Sequence, residues 1–157
     1  MKNIRTILLY AGIMLCSFTS FGQEQKVPVN EPDQNKPKLF SNLPDKISVS
    51  TEKINALVTS PVGRTSSFRL DESSDFQFEG EVVSVTSKYN NSIQSVVIRS
   101  GNFNGARLTI SKITNTDGSI SYSGRIISFK HGDLYELQNQ EGQLVLVKKN
   151  YYELVNE

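Results

Sequence analysis

Two stretches in the C-terminal half of the chain, residues 76–113 and 120–150, have similar patterns of apolar and polar residues. The similarity is clearest between residues 76–85 and 120–129, which align without a gap. Both segments alternate apolar and polar residues, which is the period of a half-buried β-strand. The pattern predicts two similar three-stranded β units packed in one domain. Generic strand alternation is the alternative explanation, because any two half-buried strands share this period.

Each aligned segment also changes face at the same place. The apolar alternation shifts by one position at Val83 in the first segment and at Ile127 in the second. Such a shift moves side chains to the opposite face of a strand. We therefore expect a β-bulge or a glycine-assisted bend in both segments, with Gly80 and Gly124 in matching positions.

Six strands are predicted in this region. The strongest turn signal between them is Asp117-Gly118, a pair typical of β-hairpins. Short strands joined by tight turns predict a mainly β fold, an antiparallel meander closed as a small barrel or folded as a sandwich. The predicted strands are residues 76–87, 92–99, 105–113, 119–129, 133–138 and 143–149, and residues 151–155 are a candidate for a further strand.

One short helix is predicted before this β region. Ser50 or Thr51 can cap it, because a hydroxyl oxygen there can accept a bond from a backbone N–H of the first turn. Its apolar residues recur at helical spacing on one face, at Ile54, Leu57 and Val58. Pro61-Val62-Gly63 ends the helix, and residues 64–70 can form another strand.

Residues 1–22 have the pattern of an export signal. A short basic start precedes an apolar run over residues 7–18, and Ser20 and Gly22 are the small residues expected before cleavage ahead of Gln23. The segment resembles the signal peptides of small exported proteins of bacteria with a two-membrane envelope. It predicts a periplasmic or secreted protein with no transmembrane span after signal removal. An uncleaved anchor is the alternative.

Cys16 raises the possibility of a lipoprotein. A lipidated Cys follows a small residue, whereas Leu15 is bulky, so lipidation is not favoured. Residues 23–45 combine Pro, Gln, Asn and charged residues with few apolar ones, which predicts a disordered tether. Residues 46–157 are then a single β-rich domain.

The composition excludes several chemistries. Cys16 is the only cysteine and would leave with the signal, which removes thiol catalysis and cysteine-based zinc sites. The net charge of +1 falls to about −1 on loss of Lys2 and Arg5, without the basic patch that nucleic-acid binding requires. His131 is the only histidine and lies in a turn, so a solvated role is favoured over catalysis. We predict no cofactor and no metal.

The acidic residues form no recognised catalytic or metal-binding pattern. Glu79 and Glu81 alternate on one strand like a glycosidase pair, but the second repeat has Ser123 and Arg125 there. Asp71, Glu72 and Asp75 cluster without the spacing of a calcium loop. Gly101 and Gly105 belong to a turn rather than a phosphate-binding loop.

These features predict a non-catalytic binding or inhibitory module that acts on a protein or peptide partner in the envelope or outside the cell. A glycan is less favoured because the chain has no Trp. The candidate contact residues lie in turns and loops and are Lys88, Tyr89, Phe103, Lys130 and His131. The aromatic rings could instead pack under their own loops. A hydrolase acting on an envelope polymer and a structural envelope component remain the alternatives.

Overall fold

The computed structural model describes residues 35–69 and 76–155. The signal segment, residues 23–34 of the predicted tether and the acidic cluster at 71–75 lie outside the described residues. No described helix is long and apolar enough to cross a membrane. The strands are β1 Lys46–Val49, β2 Thr65–Arg69, β3 Gln77–Lys88, β4 Ile93–Ser100, β5 Arg107–Thr114, β6 Ile120–Ile127, β7 Asp133–Gln140 and β8 Gln143–Asn150, and the helices are α1 Thr51–Val58 and α2 Tyr151–Val155.

The strands form one eight-stranded antiparallel sheet. Strands β2 to β8 follow one another as a meander, and β1 pairs with β8 at one edge. The predicted mainly β class is confirmed, and all six strands predicted in the C-terminal half form. As far as the structure describes the chain, the sheet does not close on itself, since β1 and β2 remain edge strands.

Pairing between β6 and β7 is much shorter than in the first hairpin of the meander. It comprises Arg125–Glu136, Ile126–Tyr135 and Ile127–Leu134, three pairs, whereas β3 and β4 are joined by eight. Beyond the first of these pairs, residues 120–124 stay paired only with β5 and residues 137–140 only with β8, among the described strands. We call this opening the fork and the Arg125–Glu136 pair its apex.

Helix α1 forms where the sequence predicts it. Ser50 is the N-cap, and its Oγ accepts a hydrogen bond from the backbone N–H of Lys53 at 3.4 Å. Ile54, Leu57 and Val58 are buried and join the hydrophobic core. The helix packs against β4 and β5, so the core lies on that face of the sheet.

The core is richest in aromatic rings beside the β4–β5 loop. Phe103 stacks on Phe76 with ring centroids 5.6 Å apart, and Phe40 contacts Phe103 edge-to-face at 5.4 Å. Tyr135 of β7 packs on Phe40 at 5.1 Å. Burying such large rings contributes several kcal/mol to folding. This cluster therefore fixes one end of the sheet.

Residues 36–45, which we call the strap, correct the predicted end of the tether. Phe40 is fully buried, and both Asp133 carboxylate oxygens accept from the strap, Oδ1 from Leu39 N at 2.6 Å and Oδ2 from Phe40 N at 2.8 Å. The Tyr135 hydroxyl donates to the Pro44 carbonyl at 2.5 Å. The packed domain thus reaches back to Leu39, because a few apolar residues and backbone N–H groups find partners far along the chain.

The two glycines predicted to match both lie where strands approach closely. A Cβ on Gly80 would be 2.5 Å from the Arg99 carbonyl oxygen, and one on Gly124 would be 2.8 Å from that of Thr109. The predicted bulge in β3 is confirmed, since its register with β4 shifts between Val82 and Ser84. In β6 the bulge, one of the two alternatives expected there, is absent. The ladder of β6 with β5 is continuous and the strand ends at the expected shift.

Two terminal elements differ from prediction. Residues 151–155 form helix α2 rather than a strand, and the bond from Tyr151 N to the Gly132 carbonyl at 2.8 Å is the last of the β7–β8 ladder before the helix. Strand β1 lies at the start of the predicted β-rich domain, where no strand was assigned, and it pairs with β8 along Lys46–Val147 to Val49–Leu144. The β1 pairing depends on a partner distant in sequence.

Candidate functional site

The candidate contact residues from the sequence fall at opposite ends of the sheet. Lys88 and Tyr89 belong to the β3–β4 hairpin, whereas Phe103, Lys130 and His131 belong to the β4–β5 and β6–β7 connections. Consecutive connections in a meander alternate between the two ends. A three-stranded unit has an odd number of strands, so equivalent turns of two such units point in opposite directions. These residues therefore do not form one site.

The β3–β4 tip is exposed and conformationally strained. Tyr89 is 77% exposed, and its φ of 51° is followed by 53° at Asn90 and 69° at Asn91. The left-handed region costs a non-glycine residue ~1 kcal/mol, and most for bulky side chains. Strain of this kind at an exposed aromatic keeps the tip a candidate contact.

At the other end, Phe103 packs into the aromatic core, so it supports its own loop rather than presenting a ring to solvent. Lys130 is exposed. His131 Nδ1 lies 2.8 Å from Ser128 Oγ, and the neighbouring Asp133 carboxylate is engaged by the strap. The histidine and the aspartate thus have separate structural partners.

A groove of about 570 Å³ runs beside β6. The side chains that line it from β5 and β6 alternate with Leu108, Ile110 and Ile126, which face the core, so the groove lies on the opposite face from α1. Its chemistry is mixed. Hydroxyl groups, an ion pair and apolar or aromatic groups line it, provided by Thr109, Ser111, Ser123, Gly124, Arg125, Ile127, Phe129, Glu136, Leu137 and Tyr151.

Charged groups lie at the middle of the groove, at the apex of the fork. Lys149 Nζ is 2.9 Å from Glu136 Oε2, and Arg125 is 3.8 Å from the other oxygen of the same carboxylate. The Lys149 hydrogen bond, with smaller contributions from Gln138 and Arg125, holds the pKa of Glu136 below its ordinary value. Two cations thus approach one carboxylate, and Arg125 is the more loosely held of the two.

Aromatic side chains form the other end of the groove. Phe129 is 66% exposed and meets Tyr151 edge-to-face at 6.4 Å. Lys36 of the strap lies over the Tyr151 ring at 5.0 Å from its centroid and donates to the Phe129 carbonyl at 3.0 Å. The strap therefore supports the aromatic end of the groove.

The groove is adjacent to strand edges at the fork. Gly124 and Leu137, which line it, lie on β6 and β7 at or just beyond the last residue pair that joins the two strands. A strand edge without a neighbour presents backbone N–H and C=O groups to an incoming chain. The site can thus combine main-chain pairing with side-chain contacts.

Sequence reasoning did not select the groove residues. Arg125 was visible only as the residue that replaces an acid of the first repeat, and Phe129 and Tyr151 only as strand residues. The first-repeat acid Glu81 is held by Arg99 at 2.7 Å in an exposed ion pair. Two sequence signals were available. Arg125 is basic where the first repeat has an acid, and Phe129 is an aromatic residue at one end of a predicted strand.

Comparisons with protein-family models, with curated proteins and with solved structures find no significant match to this chain.

Proposed function

We propose that this protein is an exported, non-catalytic binding module that accepts an extended segment of a partner protein in the groove beside β6. The observation that carries the proposal is the fork, where strand edges open onto a groove that contains both charged and aromatic side chains. The export pattern of the N-terminus supports a partner in the envelope or outside the cell.

Strand addition suits this geometry. An extended peptide can pair its backbone with an open strand edge while alternate side chains enter pockets on one face. Residues 120–124 offer such an edge, and Ser123 with Ser111 adds hydroxyl groups beside it. The exposed ring of Phe129 offers apolar contact area of the kind enriched in protein interfaces.

The strained Tyr89 tip belongs to the same proposal as a separate contact. It lies at the opposite end of the sheet from Phe129, so one short peptide would not touch both. A folded partner that covers one side of the sheet could reach the tip as well as the groove.

We also propose that β3–β5 and β6–β8 derive from duplication of a three-stranded unit. Two consecutive three-stranded meanders support it, although Gly80 approaches the following strand β4 and Gly124 the preceding strand β5. Of the two predicted arrangements of the strands, we favour a sandwich-like fold over a barrel. Side chains of Val49, Leu108 and Leu137, from both sides of the fork, surround a common point in the core.

A groove-blocking variant tests the binding function. Ser123→Trp fills the groove from an exposed strand position, and Ser84→Trp is the matched control on β3, outside the groove. We expect a partner recovered from the envelope fraction or medium to bind the native protein and Ser84→Trp, and to be lost from Ser123→Trp.

Hydrogen exchange on the complex would locate the contact. Strand addition should raise amide protection in residues 120–124 or 137–140, where edges are open. Equal binding by Ser123→Trp, or protection confined to the Tyr89 tip, would refute the groove as the binding site.

A further inference from the structure

We propose that the groove recognises the free C-terminus of its partner chain, with the terminal carboxylate on Arg125 and an apolar last side chain toward Phe129. This inference rests on the proposed binding function and adds the class of ligand. It follows from the geometry of the apex, from the charge there, and from the order of chemical groups along the groove.

The apex limits how far an inserted strand can extend. A peptide that pairs with residues 120–124 runs along β6 until it reaches Arg125, which is already paired with Glu136 of β7. From that point β6 is paired on both sides and offers no further open edge, so the backbone of the peptide must end or leave the sheet. A chain terminus fits this position without a turn.

Charge at the apex favours a carboxylate. Glu136 is bound closely by Lys149 at 2.9 Å, whereas its distance to Arg125 is 3.8 Å, beyond hydrogen-bond length. The Arg125 side chain is 53% exposed and lines the groove. A guanidinium can bind a carboxylate through two parallel hydrogen bonds, which a neutral amide cannot reproduce.

The groups beyond the apex suit an apolar terminal side chain. Ile127 follows Arg125 on the same face of β6, one repeat of the strand further on. The exposed ring of Phe129 and the side of Tyr151 lie next along the groove. A last residue with its carboxylate on Arg125 can therefore rest its side chain on apolar surface.

Two other occupants are outcomes of the same test. An internal Asp or Glu of an extended peptide could meet Arg125, and it would then bind without a free terminus. A second copy of this chain could place its own edge strand at the fork, and it would then bind without any added peptide and raise the mass in solution.

The experiment uses a display library of random seven-residue peptides with free C-termini, selected on the protein with its signal removed. The best peptide is synthesised as the free acid, as the C-terminal amide and with one added Gly. We expect the acid to end in an apolar residue and the amide to bind at least tenfold more weakly, because a charge-assisted bond is lost.

Arg125→Gln should weaken the acid at least tenfold and leave acid and amide nearly equal. Arg99→Gln is the matched control, since Arg99 is an exposed strand arginine paired with a glutamate outside the groove. Equal binding of acid and amide that is still lost in Ser123→Trp would refute terminal recognition and leave groove binding intact. Selection of no peptide, or peptide binding that Ser123→Trp does not affect, would refute both proposals.

Discussion

The β3–β4 and β6–β7 junctions start from similar sequence and end in different structures. Both β3 and β6 hold a glycine against a neighbouring strand, Gly80 against β4 and Gly124 against β5. The β3–β4 ladder has eight residue pairs, whereas the β6–β7 ladder has three. The first junction ends in a free tip at Tyr89, while the second is covered by the strap through Asp133. Complete pairing satisfies the backbone, whereas incomplete pairing beside a braced turn leaves a surface on which another chain can bind.

The largest expected effect tests the strap, which only the second junction has. Asp133→Ala removes the acceptors of Leu39 N and Phe40 N, one of them buried. We expect the free energy of unfolding to fall by about 2–5 kcal/mol, measured by urea denaturation. Asp45→Ala, at an exposed carboxylate 3.2 Å from Lys148, is the control and should cost under about 1 kcal/mol. A small loss for Asp133→Ala would mean that the strap is not needed to hold the β6–β7 turn.

Replacing Gly80 or Gly124 by alanine compares the steric cost of the two close strand approaches. Gly80→Ala brings Cβ to 2.5 Å from Arg99 O and 2.7 Å from Ile98 Cγ2, while Gly124→Ala meets atoms at 2.8 and 3.3 Å. We expect losses of about 1–3 kcal/mol, with Gly80→Ala the larger, in thermal or urea unfolding. The reverse order would show that β6, open on one side at the fork, cannot move to relieve the clash.

The acid dependence of stability should differ between the two junctions. Because Lys149 lowers the Glu136 pKa from 4.5, this group stabilises the fold above pH 4.5, and the contribution is lost as pH falls through the native pKa. We expect Glu136→Gln to cost about 1 kcal/mol at pH 7 and less at an acid pH below the native pKa of Glu136. Unfolding curves across this range check it, with Glu81→Gln at the more exposed Arg99 pair as the comparison. An equal cost of Glu136→Gln at both pH values would contradict the electrostatic explanation.

The smallest effect concerns the hairpin tip. Tyr89→Asn replaces a bulky residue at a φ of 51° with one that tolerates this region. We expect stability to stay constant or rise by about 0.5 kcal/mol in urea unfolding. A clear loss would show that the Tyr89 ring stabilises the hairpin and that its exposure does not mark a contact surface.

The elements that were predictable have local signals. Period-two alternation predicts the strands, and the glycines of the turns predict the hairpins between them. Gly118 and Gly142 do adopt positive φ, and all these signals act over only a few residues. Ser50 and the spacing of Ile54 and Leu57 define α1 in the same way. The candidate site had weaker sequence signals. The sequence pointed to Tyr89, which lies outside the groove, and did not point to Arg125, which lines it.

The failures share a dependence on distant partners. Phe40 is one aromatic in a polar segment, and its burial requires an acceptor 93 residues away. Residues 151–155 have strand-forming side chains, but the β7–β8 ladder ends at Asp133–Asn150 and the chain continues as a helix. The length of the β6–β7 ladder likewise depends on how the two strand groups pack about the core.

The sequence by itself determined the number, order and antiparallel succession of the C-terminal strands, because alternation and turn chemistry act over a few residues. Only the tertiary structure decided that β6 and β7 separate at Arg125–Glu136 and that Phe129 and Tyr151 meet beside them. Strand pairing and side-chain packing between distant segments compete for the same backbone, and that competition is resolved only when the whole core assembles.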